Sequence, residues 1–253
     1  MTAKTFTSSR TGSGTREWSE HSFNIGLGCS HGCLYCYARA NALQYKKIIK
    51  ASDWLTENII PRWAPRKKQG IIMFPTSHDI TPAYFPAALQ ALKGMLGNGN
   101  NVLIVTKPHL DIIQKLCIEL FDFKPQILFR FTITTLDPEI SCLWEPGAPL
   151  PEERLNALKH AYYAGYQTSV SAEPLLGNYV TARSIYDATE KYITDKIWIG
   201  KLNNGLRRIL ELSSPEVRNA YEDILRYQTP EGIQAIKETL RHARKLAWKE
   251  SMK

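Results

Sequence analysis

Asn101-Val-Leu-Ile-Val-Thr106 is an unbroken aliphatic run. It is followed by Lys107-Pro-His109, by Leu110-Asp-Ile-Ile-Gln-Lys-Leu-Cys-Ile-Glu-Leu120 and, after a short link, by Gln126-Ile-Leu-Phe-Arg-Phe-Thr-Ile-Thr134. The first and last runs have the length and β-branched or aromatic content of strands. The middle one carries apolar residues at helical spacing. A strand, a helix and a second strand in that order form the unit of a parallel α/β sheet.

The same alternation extends both ways. Upstream, Phe23–Ile25 is predicted as a short first strand, Tyr37–Ile49 as a helix, Gly70–Pro75 as a buried strand and Ala83–Leu96 as a helix. Downstream, Pro151–Tyr163 is predicted as a helix with Glu152 and Glu153 in its first turn, where acids suit the helix dipole. Tyr166–Ser171 follows as a strand, Thr181–Tyr192 as a helix and Lys196–Gly200 as a sixth strand. Six strands and their helices predict a partial (β/α)6 barrel over 21–204, with chemistry at the C-terminal ends of the strands. Residues 1–20, rich in Ser, Thr and Gly, read as a flexible arm. Residues 205–253 read as a helical extension, with helices at Pro215–Arg226 and Glu231–Lys249.

The chain has 253 residues, 43% hydrophobic and 22% charged, which suits a soluble globular protein. No apolar run approaches the roughly 20 residues that cross a bilayer, and the N-terminus lacks a signal-peptide core, so cytoplasm is the expected location. A net charge of +8 fits a polyanionic partner such as DNA or RNA. Pro61-Arg62-Trp63-Ala-Pro-Arg66-Lys67-Lys68 interleaves cations with an indole and is the predicted nucleic-acid contact. The final helix adds Lys237, Arg241, Arg244, Lys245 and Lys249.

Three of the five cysteines fall within eight residues, in Gly28-Cys29-Ser-His31-Gly-Cys33-Leu-Tyr35-Cys36-Tyr37. One tight cluster in an odd count argues for metal rather than disulfides. Thiolates are the natural ligands of iron–sulfur clusters, and three of them leave one iron of a [4Fe–4S] cluster open. A structural zinc site would need a fourth ligand, His31 or His21, and no second ligand pair appears. Cys117 reads as a buried small hydrophobe, whereas Cys142 follows a loop and is less easily set aside.

Cys29, Cys33 and Cys36 at C-x3-C-x2-C spacing, with Tyr35 before the last cysteine, resemble the radical S-adenosylmethionine (SAM) superfamily. Val105-Thr-Lys-Pro108, Ile133–Ile140, Glu145-Pro-Gly-Ala-Pro149 and Pro151-Glu-Glu-Arg-Leu155 look like its spore photoproduct lyase-like branch. The resemblance implies a [4Fe–4S] cluster on the three cysteines, SAM on the open iron, and an external one-electron reductant of flavodoxin or ferredoxin type. It also implies cofactor roles for residues near the strand ends. Ser77 and Asp79 are expected to meet the SAM amino group, and Lys107 its carboxylate. Thr132 and Thr134 are expected at the carboxylate or ribose, with Tyr35, Glu173 and Asn203 around them.

The superfamily's typical Gly-Gly-Glu-Pro is absent here, and Phe74-Pro-Thr-Ser-His-Asp79 lacks the cysteine that serves the lyase itself as hydrogen donor. Tyr37 is the candidate hydrogen relay, and Cys142 a remote candidate hydrogen donor. Three functions are therefore weighed: radical chemistry on a nucleic-acid base, the same chemistry on a peptide, nucleoside or other small molecule, and a non-enzymatic metal-containing module that binds nucleic acid.

Overall fold

The computed structural model describes Phe6, Gly12 and residues 14–253. The strands are β1 (His21–Ser22), β2 (Gly26–Leu27), β3 (Asn58–Ile59), β4 (Ile71–Phe74), β5 (Asn101–Thr106), β6 (Ile127–Thr132), β7 (Gln167–Ala172), β8 (Ile197–Ile199) and β9 (Leu246–Trp248). The α-helices are α1 (Tyr37–Gln44), α2 (Phe85–Gly97), α3 (Leu110–Glu119), α4 (Pro138–Trp144), α5 (Pro151–Tyr163), α6 (Tyr179–Thr189), α7 (Gly205–Arg208), α8 (Pro215–Tyr227) and α9 (Pro230–Thr239). One sheet holds seven strands in the order β1-β4-β5-β6-β7-β8-β9. Every neighbouring pair in it is parallel. β2 and β3 form a separate antiparallel pair. The α/β class read from the sequence is the one observed.

All six residues of β6 are buried, as expected for a parallel strand covered on both faces. Ile127, Phe129 and Phe131 meet α2, α3, α5 and α6 in the main core. Leu128, on the opposite face, packs with Ile71, Met73, Leu103 and Trp18. Arg130 shares that inner face at 2% exposure. Its Nε donates to Ser169 Oγ at 2.9 Å and its Nη2 to Asp195 at 3.0 Å. Its Cζ lies 4.7 Å from the Trp18 ring centroid and 5.2 Å from that of Trp198. Burial lowers this guanidinium to about 10, partly offset by Asp195. A cation between two indoles thus forms a floor beneath the strand ends on the inner face of the sheet.

The sheet has seven strands rather than six because the helix expected over Glu231–Lys249 stops at Thr239. The segment beyond it returns as β9 to pair with β8, with Ile197 N–H donating to Lys245 O at 2.7 Å and Lys249 N–H to Ile199 O at 2.9 Å. A three-residue strand leaves no periodic trace, yet it satisfies backbone groups that β8 would otherwise present as an open edge. The first strand is His21–Ser22, not Phe23–Ile25, because the chain leaves the sheet to form β2 and the Ile25 N–H turns to His78 Nε2 at 3.0 Å. Helix α1 ends at Gln44 rather than Ile49, where Lys46 takes a left-handed φ of 53°. Helix α4 has no counterpart among the expected elements. Asp137 caps it by accepting from the Glu139 and Ile140 N–H groups, with Pro138 at its first position.

Of the arm expected over 1–20, residues 1–5, 7–11 and 13 lie outside the described residues. Gly14–Glu17 form a 3-10 turn, and Trp18 is 6% exposed. Lys249 locks this turn in place. Its ammonium, 1% exposed, lies 3.1 Å from Glu17 and 3.3 Å from Glu173, donates to Gly14 O at 2.7 Å, and sits 3.9 Å above the Trp18 ring. Lys249→Met should destabilise the protein by about 3 kcal/mol, since removing one member of a buried ion pair leaves its partners uncompensated. Urea unfolding checks this; a change under about 1 kcal/mol would mean that Lys249 is not a clamp.

Candidate active site

The cysteine loop is fixed by backbone contacts before any side chain is considered. Cys29 N–H donates to Trp54 O at 2.7 Å, Leu34 N–H to Trp144 O at 2.9 Å, and Cys36 N–H to Cys33 O at 3.1 Å. Gly28 has a φ of 98°, and a Cβ there would collide with the Thr56 carbonyl, so the entry to the loop admits only glycine. Cys36 also caps α1, its Sγ accepting from Arg39 N–H at 3.4 Å. Arg39 reaches back to Leu34 O at 2.9 Å and grips Glu211 at 2.7 and 3.0 Å. This ties the loop to the C-terminal region.

Cys29, Cys33 and Cys36 all face one cavity of about 900 Å³ at the C-terminal ends of the strands. That is near the upper end of the roughly 300–1,000 Å³ typical of ligand sites. Burial is the main cause that raises the Cys29 thiol, with Asp79 adding to it, and burial lifts Cys33 to about 12. Thiols in such surroundings ionise when a metal takes the proton's place. Among the described residues, no three His, Cys, Asp or Glu side chains form a group able to hold a single metal ion. His31, weighed as a zinc ligand, instead places Nδ1 3.2 Å from Asp79 and Nε2 3.0 Å from His109 Nε2. His21 lies on β1 with Nε2 3.0 Å from Gln69 O.

The strand ends supply the opposite wall. Asn24 Oδ1 accepts from the Thr76 and Ser77 N–H groups at 2.7 and 2.9 Å, orienting the turn that brings Ser77 to the cavity. His78 accepts at Nε2 from Ile25 N–H and therefore donates from Nδ1 to Asp79 O at 2.9 Å, the neutral form that burial favours. Asp79 departs from its expected role. Thr106 Oγ1 and the Ile80 N–H (2.7 Å) occupy its Oδ1, while the Lys107 N–H (3.0 Å) and His31 occupy its Oδ2. Burial raises this carboxyl, but His31, Lys107 and Thr106 together hold it well below the usual range. It therefore ties β4, β5 and the cysteine loop together and has no oxygen free for a ligand.

Lys107 enters the cavity from β5 with its Nζ 3.9 Å from Glu145 Oε1 and 5.5 Å from the Tyr35 ring centroid. Burial alone would lower its pKa, but Cys33, Glu145 and Asp79 keep it above the ordinary lysine value. Glu145, absent from the sequence-derived site, is 1% exposed. It accepts from Tyr35 OH, from Thr134 Oγ1 at 3.1 Å and from Arg154 at 2.6 Å. Arg154 in turn donates to Pro149 O at 2.6 Å. Both residues lie in runs that carried the family resemblance, which was the one available signal.

Thr132, Glu173 and Asn203 line the cavity. Thr134 does not. It is fully buried, and its hydroxyl is committed to Glu145. Tyr37 borders the cavity with its hydroxyl donated to Thr76 O. Cys142 is exposed on α4 and is not part of the cavity wall. The Arg62–Lys68 segment lies elsewhere. Trp63 is 97% exposed, Lys67 donates to Gly99 O at 3.0 Å, and the Lys68 N–H donates to Asn100 at 2.7 Å. Gly99 and Asn100 lead into the N-terminal end of β5, so Lys67 and Lys68 sit at the end of that strand opposite the cavity, and none of Arg62, Trp63, Arg66, Lys67 and Lys68 lines the cavity.

No family model matches the chain. A curated relative, uncharacterized protein ORF301 of Acidianus two-tailed virus, is 25% identical over 170 residues, covering 60% of this chain and 54% of that protein. Among solved structures, spore photoproduct lyase complexed with dinucleoside spore photoproduct superposes with a TM-score of 0.59 at 15% identity, over 98% of this chain and 79% of that one. Streptococcus suis SuiB bound to precursor peptide SuiA gives 0.55 at 15% identity, and SuiB bound to S-adenosylmethionine gives 0.53 at 13%. Each match to SuiB spans 90% of this chain but only about half of that one, 48% and 49%. With its open parallel sheet and the cavity at the strand ends, the chain has the fold of the radical SAM enzymes.

Proposed function

We propose that the protein is a radical SAM enzyme that acts on a nucleic-acid base, with Cys29, Cys33 and Cys36 holding a [4Fe–4S] cluster and SAM on the open iron. One observation carries the chemistry: the three cysteines and the buried ammonium of Lys107 face the same cavity. The donor set suits the cluster, because three thiols on one loop leave a corner for SAM, and the nearby His31 and Asp79 are bonded to each other rather than free to ligate. When bound, the pair supplies hydrogen abstraction by a 5′-deoxyadenosyl radical, after reduction by a flavodoxin- or ferredoxin-type donor.

The chain's own residues bind, orient and shield. Glu145, fixed by Arg154, holds the Lys107 ammonium where it would meet the SAM carboxylate. Ser77 would accept from the amino group in place of Asp79, and Thr132, Glu173 and Asn203 would border the ribose. Tyr35 packs beside Lys107. Tyr37 walls the cavity, and a hydrogen-relay role would require it to exchange Thr76 O for substrate. The indole–guanidinium floor keeps water from the lower side.

Two observations favour a base as substrate: the net charge of +8 and the fold match to a lyase complexed with a dinucleoside photoproduct. The match to SuiB with its precursor peptide supports the second reading, a peptide substrate. Label transfer decides between them. Reduced, reconstituted protein with SAM and a base-deuterated oligonucleotide should yield deuterated 5′-deoxyadenosine. Label arriving only from deuterated peptides or free nucleosides would overturn the nucleic-acid reading.

A further inference from the structure

The charges lining the cavity do not balance, and the imbalance has a direction. Asp79 is saturated by protein donors, Glu173 lies 3.3 Å from Lys249, and Glu250 lies 2.6 Å from Lys253. Every carboxylate at the cavity wall is thus held by the protein. Lys107 has Glu145, but three further cations of the same wall, Arg16, Lys201 and Arg208, make no side-chain hydrogen bond or ion pair among the described residues. Arg208 is half-buried, with its Cζ 5.8 Å from the Tyr37 ring centroid; burial lowers its pKa, the Glu173 carboxylate offsets this only in part, and no carboxylate lies within ion-pair distance of it among the described residues.

Three separate segments bring these cations together: the N-terminal turn, the chain after β8, and α7. The contacts that deliver them are specific. Lys249 pins the turn bearing Arg16 through Glu17, the Glu250 N–H donates to Glu17 at 3.0 Å, and the Lys201 N–H donates to Ser251 Oγ at 3.3 Å. Neighbouring Arg207 is spent on Asn41 and Gln44, so the vacancy at Arg208 is not a general property of the helix. Lys201 and Arg208 are half-buried and Arg16 is exposed beside them; half-buried cations without an ion-pair partner are costly unless a ligand neutralises them.

We infer that Arg16, Lys201 and Arg208 form a phosphate grip at the cavity mouth that holds the backbone of a single nucleic-acid strand. This inference rests on the nucleic-acid reading above and replaces the Arg62–Lys68 segment as the contact that presents substrate. A strand anchored by its phosphates leaves an unstacked base free to enter the cavity, with the exposed face of Tyr37 beside Arg208 as a stacking surface.

The test is the salt dependence of binding of a short oligothymidylate to the cluster-loaded protein. Each phosphate contact to a single strand contributes about 0.7 to the slope of log K against log salt, so Arg16→Gln/Lys201→Gln/Arg208→Gln should flatten it by roughly 2. Affinity at low salt should fall at least ~10-fold, as expected for losing several such contacts. Arg16→Lys/Arg208→Lys, which keeps the charge, should retain the slope and controls for folding. Substituting Arg62, Arg66, Lys67 and Lys68 by Gln should leave the slope in place. A slope that survives the triple substitution, or that disappears with the 62–68 substitutions instead, overturns the grip while leaving a nucleic-acid substrate intact. No oligothymidylate binding by the unsubstituted protein even at low salt removes the nucleic-acid reading and the grip with it. Neither result bears on SAM cleavage, which is measured separately.

Discussion

Alanine at any one of Cys29, Cys33 or Cys36 should leave a protein that folds but holds little iron and makes no 5′-deoxyadenosine from SAM. The loop's shape comes from backbone contacts with Trp54, Trp144 and the 145–149 turn, including Gly147 N–H to His31 O at 2.9 Å, so the thiols are not needed to build it. They are needed as donors. With one gone, a second iron loses its protein ligand, and the cluster is exposed to loss into the cavity. The fall in product should exceed the roughly 10–100-fold typical of losing a residue that only supports a ligand. Cys117, on the buried face of α3 with its thiol raised by burial to about 12, serves as the control. Its conversion to Ala should cost stability but not iron. Iron analysis together with chromatography of the SAM cleavage products measures both.

The second large effect is expected at Glu145. Its carboxylate is fully enclosed and neutralises Arg154, itself 1% exposed, at 2.6 Å. Glu145→Ala would leave that guanidinium and the Lys107 ammonium facing each other without an anion. Breaking a buried pair from one side costs roughly 3–5 kcal/mol. Burial raises the Glu145 carboxyl, but Arg154 and Lys107 outweigh this and hold it below the ordinary glutamate value. The carboxylate's contribution is therefore complete above the unfolded value of about 4.3 and is lost as pH falls through the lower native value. Glu145→Gln should remove most of that acid dependence from urea midpoints measured between neutral and acidic pH. It should also weaken SAM binding, since Lys107 loses the group that aims it. An unchanged acid profile in Glu145→Gln would show that another carboxylate governs acid stability.

The α/β class was legible because a parallel strand covered on both faces must be apolar along its whole length, as Asn101–Thr106 and Ile127–Thr132 nearly are. The cysteine loop was legible because its ligands are local in sequence. What escaped was pairing across the chain. Glu145 and Arg154 are polar residues that become buried only because each finds the other, together with Tyr35 and Thr134, and no local pattern announces such a meeting. The strand expected over Gln126–Thr134 ends at Thr132, which lines the cavity, and beyond it Thr134 turns to Glu145. Asp79 was given a ligand because it is an acid at a strand end, whereas its oxygens are consumed in fastening β4 to β5. The Arg62–Lys68 run showed its charge but not its position. The cations at the cavity mouth, scattered over 16, 201 and 208, showed neither.

The central claim, that three thiols hold an iron–sulfur cluster whose open corner works on SAM, is tested most directly by anaerobic reconstitution of the full chain. The account predicts a brown protein with about four irons per chain, absorbing near the ~400 nm thiolate-to-iron band, that releases 5′-deoxyadenosine and methionine from SAM when reduced. A colourless protein carrying a single zinc, or a cluster-loaded one that leaves SAM intact under reduction, would contradict it.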